Sequence, residues 1–85
     1  MVEVADTSLR LDRRVKASLY ARGGLADYWI VDLVDNAVEV HRDPRPTVDT
    51  MHGWAYRSVD VLRPPAVLWP LAAPGARLAV ADLLP

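Results

Sequence analysis

The chain has 85 residues, of which 52% are hydrophobic and 25% charged, and its formal net charge is −1. This composition excludes an intrinsically disordered chain and a strongly basic module that binds nucleic acid through charge alone. The sequence contains no cysteine, which excludes a disulfide framework or a zinc ribbon and is typical of the reducing cytoplasm.

Two further features of the sequence concern its size and location. The chain is long enough for one small domain, which we expect to span residues 1–85. Acidic residues lie near the N-terminus, where a signal peptide would have basic ones, and no apolar run approaches the roughly 20 residues of a membrane helix. We therefore expect a cytoplasmic protein without a membrane partner.

The first predicted element is a strand over residues 2–5, in which Glu3 lies between two valines. β-branched residues in a short apolar run are typical of a buried strand. An interior strand needs a neighbour on each side, whereas this one opens the chain. We therefore expect a partial domain that lacks the N-terminal part of its fold.

A helix is predicted over residues 9–22, capped by Thr7 or Ser8 and ended by Gly23 and Gly24. Apolar residues at intervals of four predict the face that packs on a sheet: Leu11, Val15 and Leu19.

A second stripe on the same helix consists of Asp12, Lys16 and Tyr20. One interpretation is an ion pair that stabilises the helix by about 0.2–0.5 kcal/mol, with Tyr20 packed beneath it. The other is a functional site, since the helix directly follows the first strand and open α/β sheets collect their sites at the carboxyl ends of strands. A lysine there could stabilise the charge that develops on a phosphate or orient the attacking water.

The remaining elements are mostly strands. Residues 27–33 predict an interior strand, and residues 37–42 return from a turn at Asp35 and Asn36, with Val38 and Val40 inward and Glu39 and His41 in solvent. Residues 43–53 form a loop, residues 54–62 a third antiparallel strand, residues 76–80 a last short strand and residues 81–84 a turn of helix.

This order predicts a mixed α/β fold with one main helix. The first strand and residues 27–33 are expected to be parallel neighbours joined by the helix in a right-handed crossover. The strands that follow form an antiparallel meander.

Glu3 is the most informative candidate for chemistry, because a carboxylate on a core strand is costly unless something satisfies it. A divalent metal ion is one such partner, and solvent at the strand end is another. Other polar groups are expected to have structural or solvated positions: Asp6, Asp27 and Asp32 as caps or turn residues, His41 and His52 as solvated side chains, and Arg10, Arg13 and Arg14 with Lys16 as a basic helix face that could touch phosphate.

Taken together, these motifs resemble one known family. Val2-Glu3-Val4, Ser8, the D-x-x-x-K-x-x-x-Y stripe and the run G-G-L-A-D-Y-W-I-V-D over residues 23–32 are similar to the signature of Uma-two proteins. The V-E-V of the hairpin, G-W-x-Y at residues 53–56 and P-G-x-x-L-x-V-x-D-L-L at residues 74–84 agree with it. Uma-two proteins are restriction-endonuclease-like members of the PD-(D/E)XK nuclease superfamily.

The resemblance implies a restriction-endonuclease-like fold with a mixed sheet. It also implies an activity, the magnesium-dependent hydrolysis of DNA. In that core an upstream Asp, a strand Glu and a Lys arrange the metal. Glu3 matches the strand acid and would be catalytic and a metal ligand, and Lys16 matches the catalytic lysine. Asp12 and Tyr20 match supporting positions. Ala5 stands where the usual E-x-K motif has its lysine.

Departures from the signature include one that bears on activity, the missing upstream Asp, and a shorter acid of the same charge at residue 27. The upstream Asp has no counterpart, and Asp27 replaces a Glu. We therefore expect a magnesium-dependent DNA endonuclease by ancestry that is inactive as this chain, with DNA a partner that the net charge supports only weakly. The alternative is a non-catalytic module whose exposed sheet edge pairs with a second copy or with another chain.

Overall fold

The computed structural model describes residues 1–5 and 10–84, and it describes the side chains from residue 13 onward in the helix that starts at residue 10. The elements in chain order are β1 (Val2–Ala5), α1 (Arg10–Arg22), β2 (Asp27–Asp32), β3 (Ala37–Pro46), β4 (Trp54–Leu62), β5 (Val67–Leu68), β6 (Leu78–Ala79) and α2 (Val80–Leu83). The helix α1 is much the longer of the two.

The main sheet has the strand order β1-β2-β3-β4, and β5 pairs with β6 in a separate small sheet. β1 runs parallel to β2, whereas the other pairs of the main sheet are antiparallel. The predictions of a mixed α/β fold and of a parallel pair joined through the helix are therefore confirmed. This topology agrees with a restriction-endonuclease-like fold.

The strand register decides which side chains share the face covered by α1. Glu3 pairs with Ile30, Ile30 with Glu39, and Glu39 with Val61, so these residues form one row across all four strands. Ile30 belongs to the apolar cluster that packs against α1. Glu3 and Glu39 consequently lie on the helix-covered face.

Both faces of the sheet are covered along β2 and β3. On the α1 side the buried cluster consists of Ala21, Tyr28, Ile30 and Tyr56. On the other side, β5, β6 and α2 cover a second cluster that consists of Trp29, Val31, Val38, Val40, Leu68 and Val80. The strand β2 therefore contributes to both clusters, whereas β3 contributes Val38 and Val40 to the second one.

The cover that α1 provides contradicts the prediction that Glu39 and His41 point into solvent. His41 is only 8% exposed, and Glu39 is half-buried. Strict alternation correctly separates Val38 and Val40 from Glu39 and His41, but it does not reveal whether the polar face is open. Here α1 covers it.

The prediction for the packing face of α1 was wrong at Leu19, whereas Val15 is half-buried. Leu19 is 40% exposed, whereas Ser18 and Ala21 are buried and Ala17 and Tyr20 pack against the cluster on the α1 side. Small side chains let the helix approach the sheet closely, so the polar Ser18 lies at the contact and its hydroxyl donates to the Trp54 carbonyl at 2.7 Å. The side chain of Leu11 lies outside the described residues, as do Thr7 and Ser8.

Several strand boundaries differ from the prediction. β3 continues to Pro46, and the last strand covers only Leu78–Ala79 before α2 begins at Val80. β5 was not predicted at all. A strand of two residues is too short to show an alternating pattern in the sequence. β5 forms because Val67 and Leu68 pair with β6.

The end of α1 confirms the predicted glycine stop. The amide of Gly24 donates to the Ala21 carbonyl at 3.0 Å and the amide of Leu25 donates to the Tyr20 carbonyl at 3.1 Å, while Gly24 has a φ of 78°. This is the Schellman arrangement, which glycine adopts most cheaply. It directs the chain from α1 back into β2.

Hydrogen bonds of Asp27 and Arg42 connect the C-terminal segment to the sheet. The Asp27 carboxylate accepts from the Trp29 indole at 2.6 Å, from Arg42 Nε at 2.9 Å and from the Leu71 amide at 3.0 Å. Arg42 also donates to the Trp69 carbonyl at 2.6 Å. Burial alone would raise the pKa of Asp27, but the hydrogen bonds from Arg42, Leu71 and Trp29 outweigh it and lower that pKa.

Asp27 therefore predicts a loss of stability in acid. Because its pKa is lower in the folded chain than in the unfolded one, ionised Asp27 stabilises the fold above about pH 4, and this contribution is lost as the pH falls through the folded pKa. We expect Asp27→Asn to lower the free energy of unfolding at pH 7 and to reduce its fall in acid, as measured by urea unfolding at several pH values. Asp60→Asn, on the exposed side of β4, controls for the lost charge. Equal pH profiles for the wild type and Asp27→Asn would contradict the assignment.

Candidate functional site

The carboxylate of Glu3 is held by two tyrosine hydroxyls. Tyr20 Oη donates to Glu3 Oε1 at 2.8 Å, and Tyr28 Oη donates to Glu3 Oε2 at 2.9 Å. Each oxygen of the carboxylate thus accepts one hydrogen bond from a different element.

Each tyrosine is placed by its own element. Tyr20 lies in the last turn of α1, where the Schellman arrangement holds its carbonyl, and Leu25 packs in the same apolar cluster. Tyr28 is fully buried in β2, next to Ile30, the residue that pairs with Glu3. The two rings meet edge to face, with their centroids 5.0 Å apart. β1, α1 and β2 therefore converge on one carboxylate.

Burial, and then the hydrogen bond to Glu3, raise the pKa of Tyr28. Its hydroxyl therefore stays protonated at neutral pH and acts as a hydrogen-bond donor. A buried hydroxyl without a partner is costly, so Tyr28 needs the Glu3 acceptor as much as Glu3 needs its donors.

Lys16, the predicted catalytic lysine, lies one helical turn before Tyr20. Residues four apart share a side of a helix, so the side of α1 that carries Lys16 is the side from which Tyr20 reaches β1. Lys16 is exposed. Its predicted catalytic role, like that of Glu3, stays a prediction, and the side chain of Asp12 lies outside the described residues, as does Asp6.

A chain of aromatic rings connects this site with the middle of the sheet. The Tyr28 ring lies 5.4 Å from the His41 ring and 6.1 Å from the Tyr56 ring. Tyr56 Oη donates to the Leu25 carbonyl at 2.6 Å, and burial raises the pKa of Tyr56 to about 12. His41 was predicted to be a solvated side chain, but it belongs to this interior cluster.

Beyond His41 lies a group of paired charges. Arg13 Nη1 donates to Asp32 Oδ2 at 3.1 Å and to Glu39 Oε2 at 2.8 Å, and His41 Nε2 lies 3.2 Å from Glu39 Oε1. Burial lowers the pKa of His41 despite the neighbouring Glu39, so the imidazole is neutral at pH 7.

Asp32 has a structural role here, in agreement with its prediction as a turn residue. Its Oδ1 accepts from the amides of Val34 at 3.0 Å and Asp35 at 3.1 Å, which closes the β2–β3 turn. Burial would raise the pKa of Asp32, but the hydrogen bonds from Asp35, Arg13 and Val34 together lower it.

The sequence did not predict Tyr28 as a partner of Glu3 or Arg13 as a bridge between Asp32 and Glu39. Tyr28 is 25 residues from Glu3 and Arg13 is 26 residues from Glu39, so no local spacing connects these pairs. The one available signal was that a carboxylate on a core strand requires donors.

The described residues do not by themselves fit a complete magnesium site. Among the described side chains, those of residues 1–5 and 13–84, no group of three or more His, Asp or Glu is close enough to hold a metal ion. Magnesium in nucleases is generally held by at least two carboxylates in addition to waters and phosphate oxygens. Glu3 supplies one carboxylate at the candidate site.

The tyrosine contacts predict a specific loss of stability. Glu3→Ala leaves the buried Tyr28 hydroxyl without its acceptor, so we expect the free energy of unfolding to fall by about 1–3 kcal/mol. Glu3→Gln keeps a carbonyl acceptor and should lose less. Urea unfolding followed by tryptophan fluorescence measures both, with Asp82→Ala as the control at an exposed acid. A Glu3→Ala variant as stable as the wild type would show that the contacts contribute nothing.

No described helix is long and apolar enough to cross a membrane. No curated protein and no solved structure matches the chain. A family model described as "Uma2: Putative restriction endonuclease" matches residues 1–81, which is nearly the whole chain. The chain therefore belongs to the Uma2 family of restriction-endonuclease-like proteins.

Proposed function

We propose that this chain carries part of a magnesium-dependent site for the hydrolysis of DNA phosphodiesters. The observation that carries the proposal is the Glu3 carboxylate, oriented by Tyr20 and Tyr28 on the strand that precedes the helix of Lys16. An anionic oxygen in a fixed direction is what a metal ligand requires, and membership of a restriction-endonuclease-like family supports this chemistry.

In this proposal each residue has a distinct role. Glu3 is an anionic ligand for the metal, and Lys16 stabilises charge on the phosphate or orients the attacking water. Tyr20 is a positioning residue, because its hydroxyl holds Glu3 Oε1 at 2.8 Å. Asp12 is proposed to support Lys16 from one turn earlier on the helix. The reducing cytoplasm is the proposed compartment.

We further propose that the 85-residue chain alone does not cleave DNA. The described residues place one carboxylate at the candidate site, and a magnesium site needs more acidic ligands than that. Further ligands would come from residues outside the described ones or from another chain.

The first test is a cleavage assay with the purified chain, plasmid DNA and magnesium. We expect no nicking above that of Lys16→Ala, because the described residues bring one carboxylate, Glu3, to the proposed site. Efficient cleavage that Lys16→Ala abolishes would contradict the proposed inactivity, while supporting the role of Lys16.

The metal role of Glu3 is tested separately with Mn²⁺ as a paramagnetic probe. We expect weak binding that broadens the amide resonances of β1 and of the neighbouring part of β2 in the wild type but not in Glu3→Gln. Asp60→Asn is the matched control, since it removes the same charge from the exposed side of β4. Equal broadening in the wild type and Glu3→Gln would remove Glu3 from the metal site.

A second candidate function is a non-catalytic interaction module, and the exposure of β1 favours it. β1 is an edge strand, and on the face opposite Glu3 its side chains Val2 and Val4 are 53% and 67% exposed. Exposed apolar residues on an edge strand favour pairing with another strand. We propose a second copy of this chain as the partner.

Sedimentation velocity at micromolar concentrations tests this association. We expect the wild type to form a dimer and Val4→Lys to be a monomer, because a charge on an edge strand opposes strand pairing. Val48→Lys is the matched control, since Val48 is 97% exposed in the loop between β3 and β4. A wild type that stays monomeric would contradict the proposal.

A further inference from the structure

A polar cleft lies on the same face of the sheet as Glu3, further along toward β4. It has a volume of about 330 Å³, and its lining includes Arg13 and Arg14 from α1, Asp32 and Asp35 from the end of β2 and the following turn, and Arg63 just after β4. The cleft therefore opens at the carboxyl end of β2, where open α/β sheets collect their ligands.

The charged side chains inside the cleft already pair with one another. The Arg13 guanidinium is shared by Asp32 and Glu39, which accept from it at 3.1 and 2.8 Å. The remaining oxygen of Asp32 accepts two backbone amides, and the remaining oxygen of Glu39 lies against His41. This network holds the walls of the cleft together and offers no uncompensated cation to a ligand.

Two arginines on the rim are different. Arg14 and Arg63 are exposed, and within the described part of the chain neither of them has an ion-pair partner. They approach the cleft from separate elements, one from the helix and the other from the end of β4. Asp35 is the one exposed acid among the lining residues. Its negative charge weakens the attraction of the two arginines for an anion.

Glu39 lines the cleft, so its separation from Glu3 gives the distance between the Glu3 site and this wall of the cleft. Glu3 and Glu39 lie in one row of the sheet with Ile30 between them, so two strand spacings of about 4.8 Å separate their backbones by roughly 10 Å. A strand of B-form DNA advances about 3.4 Å per nucleotide, so this separation corresponds to about three nucleotides.

We propose that Arg14 and Arg63 form a clamp for phosphate groups of the DNA backbone, beside the Glu3 site. The inference rests on the proposed function. A chain with a net charge of −1 does not attract DNA as a whole, so the two arginines supply local contacts to the substrate. Guanidinium groups bind phosphate oxygens through paired N–H donors, and these contacts position the strand without reading its sequence. Arg14 and Arg63 are positioning residues in this scheme.

The test is the binding of a short fluorescein-labelled DNA duplex in EDTA, followed by fluorescence anisotropy at increasing KCl. We expect Arg14→Gln and Arg63→Gln each to weaken binding roughly fivefold at low salt and to reduce the salt slope by about 1. Asp35→Asn should tighten binding, because it removes the opposing charge from the rim.

Arg57→Gln and Arg77→Gln are matched controls, because both arginines are exposed and neither lines the cleft. The proposal is overturned if these controls weaken binding as much as Arg14→Gln and Arg63→Gln do, or if the wild type does not bind the duplex. EDTA removes divalent metal, so the result is independent of Glu3. Loss of the clamp with intact Mn²⁺ binding at Glu3 would leave the proposed metal site standing, and the reverse result would leave the clamp standing.

Discussion

The fold depends on the mutual requirement between one carboxylate and two tyrosine hydroxyls. Glu3, Tyr20 and Tyr28 come from β1, α1 and β2. Displacing Glu3 would remove the acceptor of both hydroxyls, and displacing either tyrosine would remove one donor from Glu3. A buried donor without an acceptor costs more than a formed hydrogen bond contributes, so the three groups specify one another's position. They therefore favour one register of β1 on β2 and one rotation of α1 about its axis.

The same face of the sheet carries a second polar group, in which Arg13 bridges Asp32 and Glu39. Buried ion pairs add little net stability because desolvation offsets their attraction, but breaking one is costly. Together with the ring contacts of Tyr28, His41 and Tyr56, this group makes the interface between α1 and the sheet polar and specific. The opposite face, with Trp29, Val31 and Val38, carries the larger of the two apolar clusters.

This difference between the two faces of the sheet bears directly on the proposed function. A face whose polar groups are satisfied by one another can hold a carboxylate in a defined direction, which is the arrangement proposed for Glu3 as a metal ligand. The adjoining cleft keeps its inner charges paired while Arg14 and Arg63 stay on its rim. Glu3, the proposed metal ligand, and Arg14 and Arg63, the proposed phosphate contacts, thus belong to one face, and both proposals depend on how closely α1 packs on the strands.

Periodicity and turn residues determined the order of the main elements, the parallel pairing of the first strand with residues 27–32, and the glycine stop after α1. The family was also evident from the sequence, as was the need of Glu3 for a partner, since a charged residue between valines is costly without one. Only the tertiary structure decided that α1 packs through Ser18 and Ala21 rather than Leu19, that His41 is interior, and that Tyr28 is the second donor to Glu3. The physical reason is that these outcomes depend on which layer covers each face and on contacts between residues more than 15 positions apart, such as Tyr20 with Glu3 at a separation of 17. Local spacing carries no information about either.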